Sequence, residues 1–261
     1  SFLKNYKHSS QKGYQTKRAY LLKGEKLPPG EFGVMHGYMK IPELKKVCHA
    51  YGVSINEYLV AVYVWSVYTE CMHGMPSERP VRVAVPVNLR PYFNSITTKN
   101  FFVMVSAEFH PTKEIYTFEE VLKSVSESLR SQISRENLEK LFSYNVSNEK
   151  LLAARIVPLF LKNLAMRYVY TTSALANTAT VTNIGNISVS EEYRPYVEMF
   201  HAFLAMSKGQ HLKGTICSYG DTLVFSFSYD LTDTSVQRGF FRKIAADGIA
   251  VEIETNGVNY E

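Results

Sequence analysis

The chain has 261 residues, 46% hydrophobic and 20% charged, with a formal net charge of +5. That is enough chain and apolar content for a sizeable core, as one large domain or two packed lobes, in an ordinary globular protein. No apolar run reaches about 18 residues, which excludes a transmembrane helix, and Cys48, Cys71 and Cys217 lack the spacing of a metal site or a disulfide framework.

Residues 1–16 read as a basic, irregular segment. The start carries neither Met nor a signal-peptide core and reads as the cut edge of a longer chain. Lys4, Lys7, Lys12, Lys17, Arg18, Lys23 and Lys26 hold much of the positive excess. They suit a solvated segment or attraction of an anionic cofactor or acidic surface. Tyr6, Tyr14 and Tyr20 interleave with them, but no nucleic-acid-binding motif follows, so nucleic acid is not expected as a partner. The cysteines read as small buried residues in a reducing compartment, which implies the cytoplasm.

Along the chain, Arg18–Leu22 is a short strand candidate, and the prolines and glycine of Leu27–Glu31 make a turn. His36–Ile41 reads as a strand, followed by a helix from Pro42 to Tyr51 that Gly52 stops. Ser54 with Glu57 forms a capping box for a helix that is apolar on most of its circumference and ends near His73-Gly74. Arg79–Leu89, rich in valine, reads as a strand buried in a sheet. The loop Arg90–Lys99 leads into a strand over Asn100–Phe109. Helices are expected over Phe118–Phe142 and Asn148–Tyr170, the second kinked or split by Pro158. Strands follow at Ala179–Asn183, Pro195–Ala205, Leu212–Ser218 and Leu223–Tyr229, the last two joined by a hairpin turn at Tyr219–Thr222. A helix over Val236–Ala246 and a short strand over Ile249–Glu254 close the chain. Helices alternate with strands early and hairpins cluster late, which argues an α/β fold with a mixed β-sheet and flanking helices.

Candidate chemistry is sparse. None of the seven histidines sits in a local motif with an orienting partner. His49 and His73 suit helix C-termini, and His36 and His201 suit packing within strands. There is no metal-ligand spacing, no glycine-rich phosphate loop, and no Gly-x-Ser-x-Gly elbow. Arg90 ends a buried strand between prolines. At a sheet rim its guanidinium suits a carboxylate, and it equally suits an exposed loop.

Three segments carry a resemblance. Val85-Pro-Val-Asn-Leu-Arg-Pro-Tyr92 with Lys99-Asn-Phe-Phe102, Leu44-x-x-Val47 through Gly52-Val-Ser-Ile-Asn-Glu-Tyr-Leu59, and Thr180-Val-Thr-Asn-Ile-Gly185 together resemble the C-terminal half of alcohol acetyltransferase-like proteins. These belong to the coenzyme A-dependent acyltransferases, with chloramphenicol acetyltransferase and nonribosomal peptide condensation domains. The resemblance spans roughly Tyr20 to Ile253. It implies a chloramphenicol acetyltransferase-like lobe of a two-lobe enzyme over residues 17–261, with a channel between the lobes. In that family His-His-x-x-x-Asp-Gly supplies the base. Here Ser228-Tyr-Asp-Leu-Thr-Asp-Thr234 stands as a degenerate copy without either histidine.

The resemblance therefore implies a C-terminal lobe with no catalytic residue of its own, inactive alone and completed by an N-terminal catalytic lobe. The whole would be an O-acyltransferase using acetyl- or another acyl-coenzyme A as co-substrate and a small-molecule alcohol as acceptor. Asn183, Gly185, Asn100 and Phe101 would border the cofactor channel. Arg90 would pair with the missing motif Asp, and Asp233 would keep a structural Asp position or simply cap a turn or helix. The exposed lobe face would favour self-association. A condensation-type domain acting on carrier-bound substrates, or a non-catalytic acyl-thiol or protein-binding module, are the alternatives.

Overall fold

The computed structural model describes residues 17–149 and 157–257, and the side chains of residues 144–149 lie outside it. The expected irregular segment 1–16 falls outside the described residues. In chain order the elements are β1 (Gly33–Lys40), α1 (Ile41–Tyr51), α2 (Ile55–Ser66, continued by a π-helical turn at Val67–Cys71), β2 (Val81–Asn88), a short α3 (Arg90–Phe93) and β3 (Phe102–Phe109). Then come α4 (Phe118–Gln132), α5 (Arg135–Glu149), α6 (Leu159–Leu175), β4 (Ala179–Asn186), a 3-10 turn at Glu191–Tyr196, β5 (Leu212–Tyr219), β6 (Thr222–Tyr229), α7 (Ser235–Ala246) and β7 (Glu252–Thr255). The seven strands form one sheet in the order β3-β2-β4-β5-β6-β1-β7. β2, β4 and β5 run parallel and the other pairings are antiparallel. It is the expected mixed sheet with flanking helices.

Local chemistry places the helices. Gly52 closes α1 at φ 67°, a left-handed position that costs glycine little. Ser54 and Glu57 form the expected capping box on α2, and Arg130 reaches from α4 to clamp Glu57 at 2.5 Å. Burial alone raises the Glu57 carboxyl, but Arg130 and the Ser54 N–H outweigh it and hold the group below its ordinary value. A second box, Thr117 with Glu120, starts α4. α2 is buried from Glu57 to Val64, as its all-round apolar character requires. Its Tyr63 ring meets Phe227 of β6. Phe225 and Phe227 in turn meet Phe240 of α7, tilted and edge-on, with ring centres 4.4 and 5.0 Å apart. Gly37 of β1 admits this layer, since a Cβ there would stand 2.1 Å from the Phe241 ring.

Several sequence expectations need correction. Arg18–Leu22 is extended but pairs with no strand; its amides bond to Leu175 O and Pro80 O instead. Phe118–Phe142 is two helices, because Ser134 caps a fresh start through the Asn137 amide. Of the two outcomes expected at Pro158 the split is the one seen: Pro158 stands at the N-cap of α6, where its missing N–H costs nothing. Pro195–Ala205 is not a strand, for reasons given by the site itself.

Candidate functional site

Strand direction gathers the rim. β2 and β4 run parallel, β3 pairs antiparallel with Asn88 opposite Phe102, and β4 runs parallel to β5. The Asn88–Arg90 end, the Asn100–Phe101 entry and the Asn183–Gly185 end therefore meet at one edge of the sheet. Tyr219, Thr222 and Lys40 continue that edge. Such an edge, beyond the C-terminal ends of parallel strands, is where open α/β sheets bind ligands.

Each predicted residue has a distinct place there. Arg90 folds its own loop: Nε donates to Thr97 O at 2.8 Å, Nη2 to Lys99 O at 2.7 Å and Nη1 to Asn88 Oδ1 at 3.2 Å. Asn183 Oδ1 accepts from the Gly185 amide at 2.8 Å, and the strand register slips between them. Gly185 has φ 87°, and a Cβ there would meet nothing within 4 Å. The rim is thus open at Gly185. Asn100 is exposed on the same edge, ahead of β3. Phe101 is wholly buried, its ring between Phe93 and Phe142, so it backs the rim rather than lining it. Asp233 belongs elsewhere. It follows Tyr229, at the opposite end of β6, roughly 25 Å away along an eight-residue strand. There it accepts from the Ser235 amide and hydroxyl, closing the turn that leads into α7, whose N-cap is Thr234.

Behind the rim, the sheet face away from the helices is polar. Ser226, Ser228, Thr215, Arg82 and Lys213 are buried on it. Residues 197–206 lie across β5, β6 and β1 as a strap. Lys213 Nζ donates to Ala205 O at 2.8 Å, Ser228 Oγ to Leu204 O at 2.6 Å and Cys217 Sγ to Phe200 O at 3.2 Å. The strap's carbonyls bond to side chains of the sheet, and so it forms no strand ladder despite its alternating pattern. Burial lowers the Lys213 ammonium pKa, the mark of a cation held by a dipole without a counter-charge.

His201 rides on this strap instead of a strand. Its Nε2 lies 2.8 Å from the Tyr38 hydroxyl, and its ring is 4.5 Å from that of His36. Tyr38 donates to Glu254 of β7, and His36 Nδ1 lies 2.7 Å from Ser226 Oγ. Burial, then the His201 ring, lower the His36 pKa, with Glu254 partly opposing them. Tyr38 is raised by burial and by Glu254. Tyr38, His201 and Glu254 border a cleft of about 610 Å³ with Met39, Lys40 and Val251 on its walls. The alternation His36, Tyr38, Lys40 was visible in the sequence; its partners, more than 160 positions away, were not. A second imidazole pair, His211 with Asp230 at 2.8 Å, lies at the far end of the sheet. It lines a cavity of about 20 Å³, room for a water and nothing larger.

Other chemistry is weak. Burial pushes the Cys48 thiol up to about 12 and Cys71 up to about 11, so neither offers a thiolate at neutral pH. Among the described residues no cluster of three His, Cys, Asp or Glu could hold a metal.

No family model and no curated protein matches the chain. Solved structures do. The F. sporotrichioides TRI101 protein, solved with coenzyme A and T-2, aligns over 89% of this chain and 56% of its own, at TM-score 0.57 and 11% identity. The TRI3 trichothecene 15-O-acetyltransferase of Fusarium sporotrichioides aligns over 87% and 48%, at TM-score 0.56 and 14% identity. The nonribosomal peptide synthetase FmoA3 aligns over 88% and 22%, at TM-score 0.56 and 16% identity. This is the condensation-domain and chloramphenicol acetyltransferase-like acyltransferase fold. The chain spans about half the length of the two F. sporotrichioides proteins and about a fifth of the synthetase. No described helix is long and apolar enough to cross a membrane.

Proposed function

We propose that residues 17–261 are the C-terminal lobe of an acyl-coenzyme A-dependent O-acyltransferase of the alcohol acetyltransferase type, acting in the cytoplasm. The base that deprotonates the alcohol belongs to a sister N-terminal lobe. The observation that supports this most is the meeting of Arg90, Asn100, Asn183 and Gly185 at one open rim. Beside it the helix-free face leaves Phe102, Met104 and Ile184 exposed, an apolar surface that suits a partner lobe or, without one, a second copy.

In this reading Asn183 and Gly185 border the acyl-coenzyme A channel, and Asn100 stands at its mouth. Arg90 holds loop 94–99 in shape and keeps its outer N–H groups for the sister lobe's motif Asp. Phe101 supports the wall from within, and Asp233 serves α7 alone. The chain supplies a wall and binding contacts; the proton moves on the other lobe.

Thiol release from acetyl-coenzyme A over a panel of alcohols tests the assignment. The chain alone is expected to give none. Joined to the lobe encoded upstream, it is expected to turn over, with Gly185→Val raising KM for the thioester. Turnover by this chain alone that disappears on replacing one of its own histidines would falsify the proposal.

A further inference from the structure

Gln237 is a polar side chain that the rest of the fold leaves unanswered. It stands on the first turn of α7 and is 1% exposed. Neither its Oε1 nor its Nε2 has a hydrogen-bond partner in the protein. Among the described residues, no other buried side-chain amide lacks a partner at both ends. An amide taken out of water without a replacement partner is a cost that native folds rarely leave standing.

The amide does not face hydrocarbon. Gln237 lines the cavity of about 20 Å³ at the far end of the sheet, and His211, Asp233, Cys71 and Lys23 line it as well. His211 Nδ1 lies 2.8 Å from Asp230 Oδ1. A carboxylate only accepts, so Nδ1 carries the proton, and Nε2 of the neutral ring keeps a lone pair.

Size and chemistry together select the occupant. The volume admits one molecule as small as water and excludes any organic ligand. A bare cation would meet the Gln237 N–H groups and the Lys23 ammonium. An anion would meet the Asp233 carboxylate and the His211 lone pair. Water both donates and accepts, so it can serve the amide and the imidazole at once.

We propose that this cavity is the binding site of one internal water, held by the Gln237 amide and the His211 ring. The water ties the first turn of α7 to the His211–Asp230 pair, which itself joins the start of β5 to the end of β6. The inference does not rest on the acyltransferase reading, and either can fail without the other.

A crystal structure of the full chain, at a resolution that shows ordered solvent, tests it directly. A single oxygen peak is expected in the cavity, within hydrogen-bond reach of the Gln237 amide and of His211. The proposal is overturned if the peak is missing, if Gln237 has turned onto a protein group, or if the peak contacts acceptors only, as a cation would. In solution, oxygen-17 relaxation dispersion should count one long-lived water fewer in Gln237→Met than in the parent; an equal count overturns the proposal. Gln237→Met removes the amide at similar volume. Because the water already serves the amide, the melting temperature should hold or fall by about 2–4 °C. A rise beyond about 2 °C would mean that the amide stands unpaired in a dry cavity, and would overturn the proposal too. If Gln237→Met does not fold, the parent crystal structure still decides.

Discussion

The two faces of the sheet are held by different physics. On the helix side, Phe225, Phe227, Phe240 and Phe241 interlock with Tyr63, and stability comes from apolar area removed from water. On the strap side the buried groups are Ser226, Ser228, Lys213 and Arg82, each of which needs a partner before burial stops being a cost. Lys213 and Ser228 find strap carbonyls, Ser226 meets the His36 ring, and Arg82 bonds to Glu108 and to the Lys17 and Ala176 carbonyls. The first face fixes the fold with little regard to atomic detail. The second fixes the position of one segment through directed bonds, and it carries His36, Tyr38 and Lys213.

Breaking the comparison should show the asymmetry. Phe240→Ala, which empties the middle of the aromatic layer, should cost about 3–5 kcal/mol in urea denaturation. Arg82 binds Glu108 Oε2 at 2.7 Å and donates to Ala176 O and Lys17 O. Arg82→Ala strands these groups, but Glu108 is partly exposed, so the loss should be about 2–3 kcal/mol, below that of a fully buried pair. A denaturation series that ranked Arg82→Ala well above Phe240→Ala would invert the picture.

Acid should act on the polar face. The His36 pKa is depressed in the fold, so the unfolded chain binds its proton first. The stability His36 contributes is complete above about 6.5 and falls as pH drops below that value. His36→Gln should flatten this limb of the stability profile and leave stability at pH 8 nearly unchanged; an unaltered slope would show that the pair with His201 is not felt. Smaller still is Lys213→Met, where a buried cation bound only to the Ala205 carbonyl gives way to an apolar chain of similar length. Its effect on global stability should stay within about 1 kcal/mol, while amide exchange over residues 200–206 quickens. Least of all, Phe102→Ser/Met104→Ser should alter stability by under about 0.5 kcal/mol yet reduce self-association in analytical ultracentrifugation.

Legibility in the sequence followed the same divide. The aromatic face was readable because period-2 alternation in Leu223–Tyr229 and helical spacing in α7 report local geometry. Caps at Ser54 and Gly52 were readable because capping is settled within a few residues. The strap was misread because its alternation mimics a strand, and only the serine, lysine and cysteine of distant strands show where its carbonyls go. Of the site residues, Asn183 and Gly185 were read as stopping the strand; it runs on to Asn186 through a slip in register between them. The burial of Phe101 depended on Phe142, far along the chain. The His36–His201 pairing had no local sign at all.

By itself, then, the sequence determined the strands and helices other than at Arg18–Leu22, Pro195–Ala205 and the break at Ser134, the caps of α1 and α2, and the absence of an acyltransferase base motif, because each depends on neighbours in the chain. Tertiary structure alone decided which strand ends share a rim, that Asp233 stands far from it, that residues 197–206 lie flat instead of pairing, and that α6 leaves Phe160, Leu164 and Tyr168 outside the core. Those outcomes depend on strand order and on hydrogen bonds closed across long loops, and no local pattern encodes which distant group will be there to accept or donate.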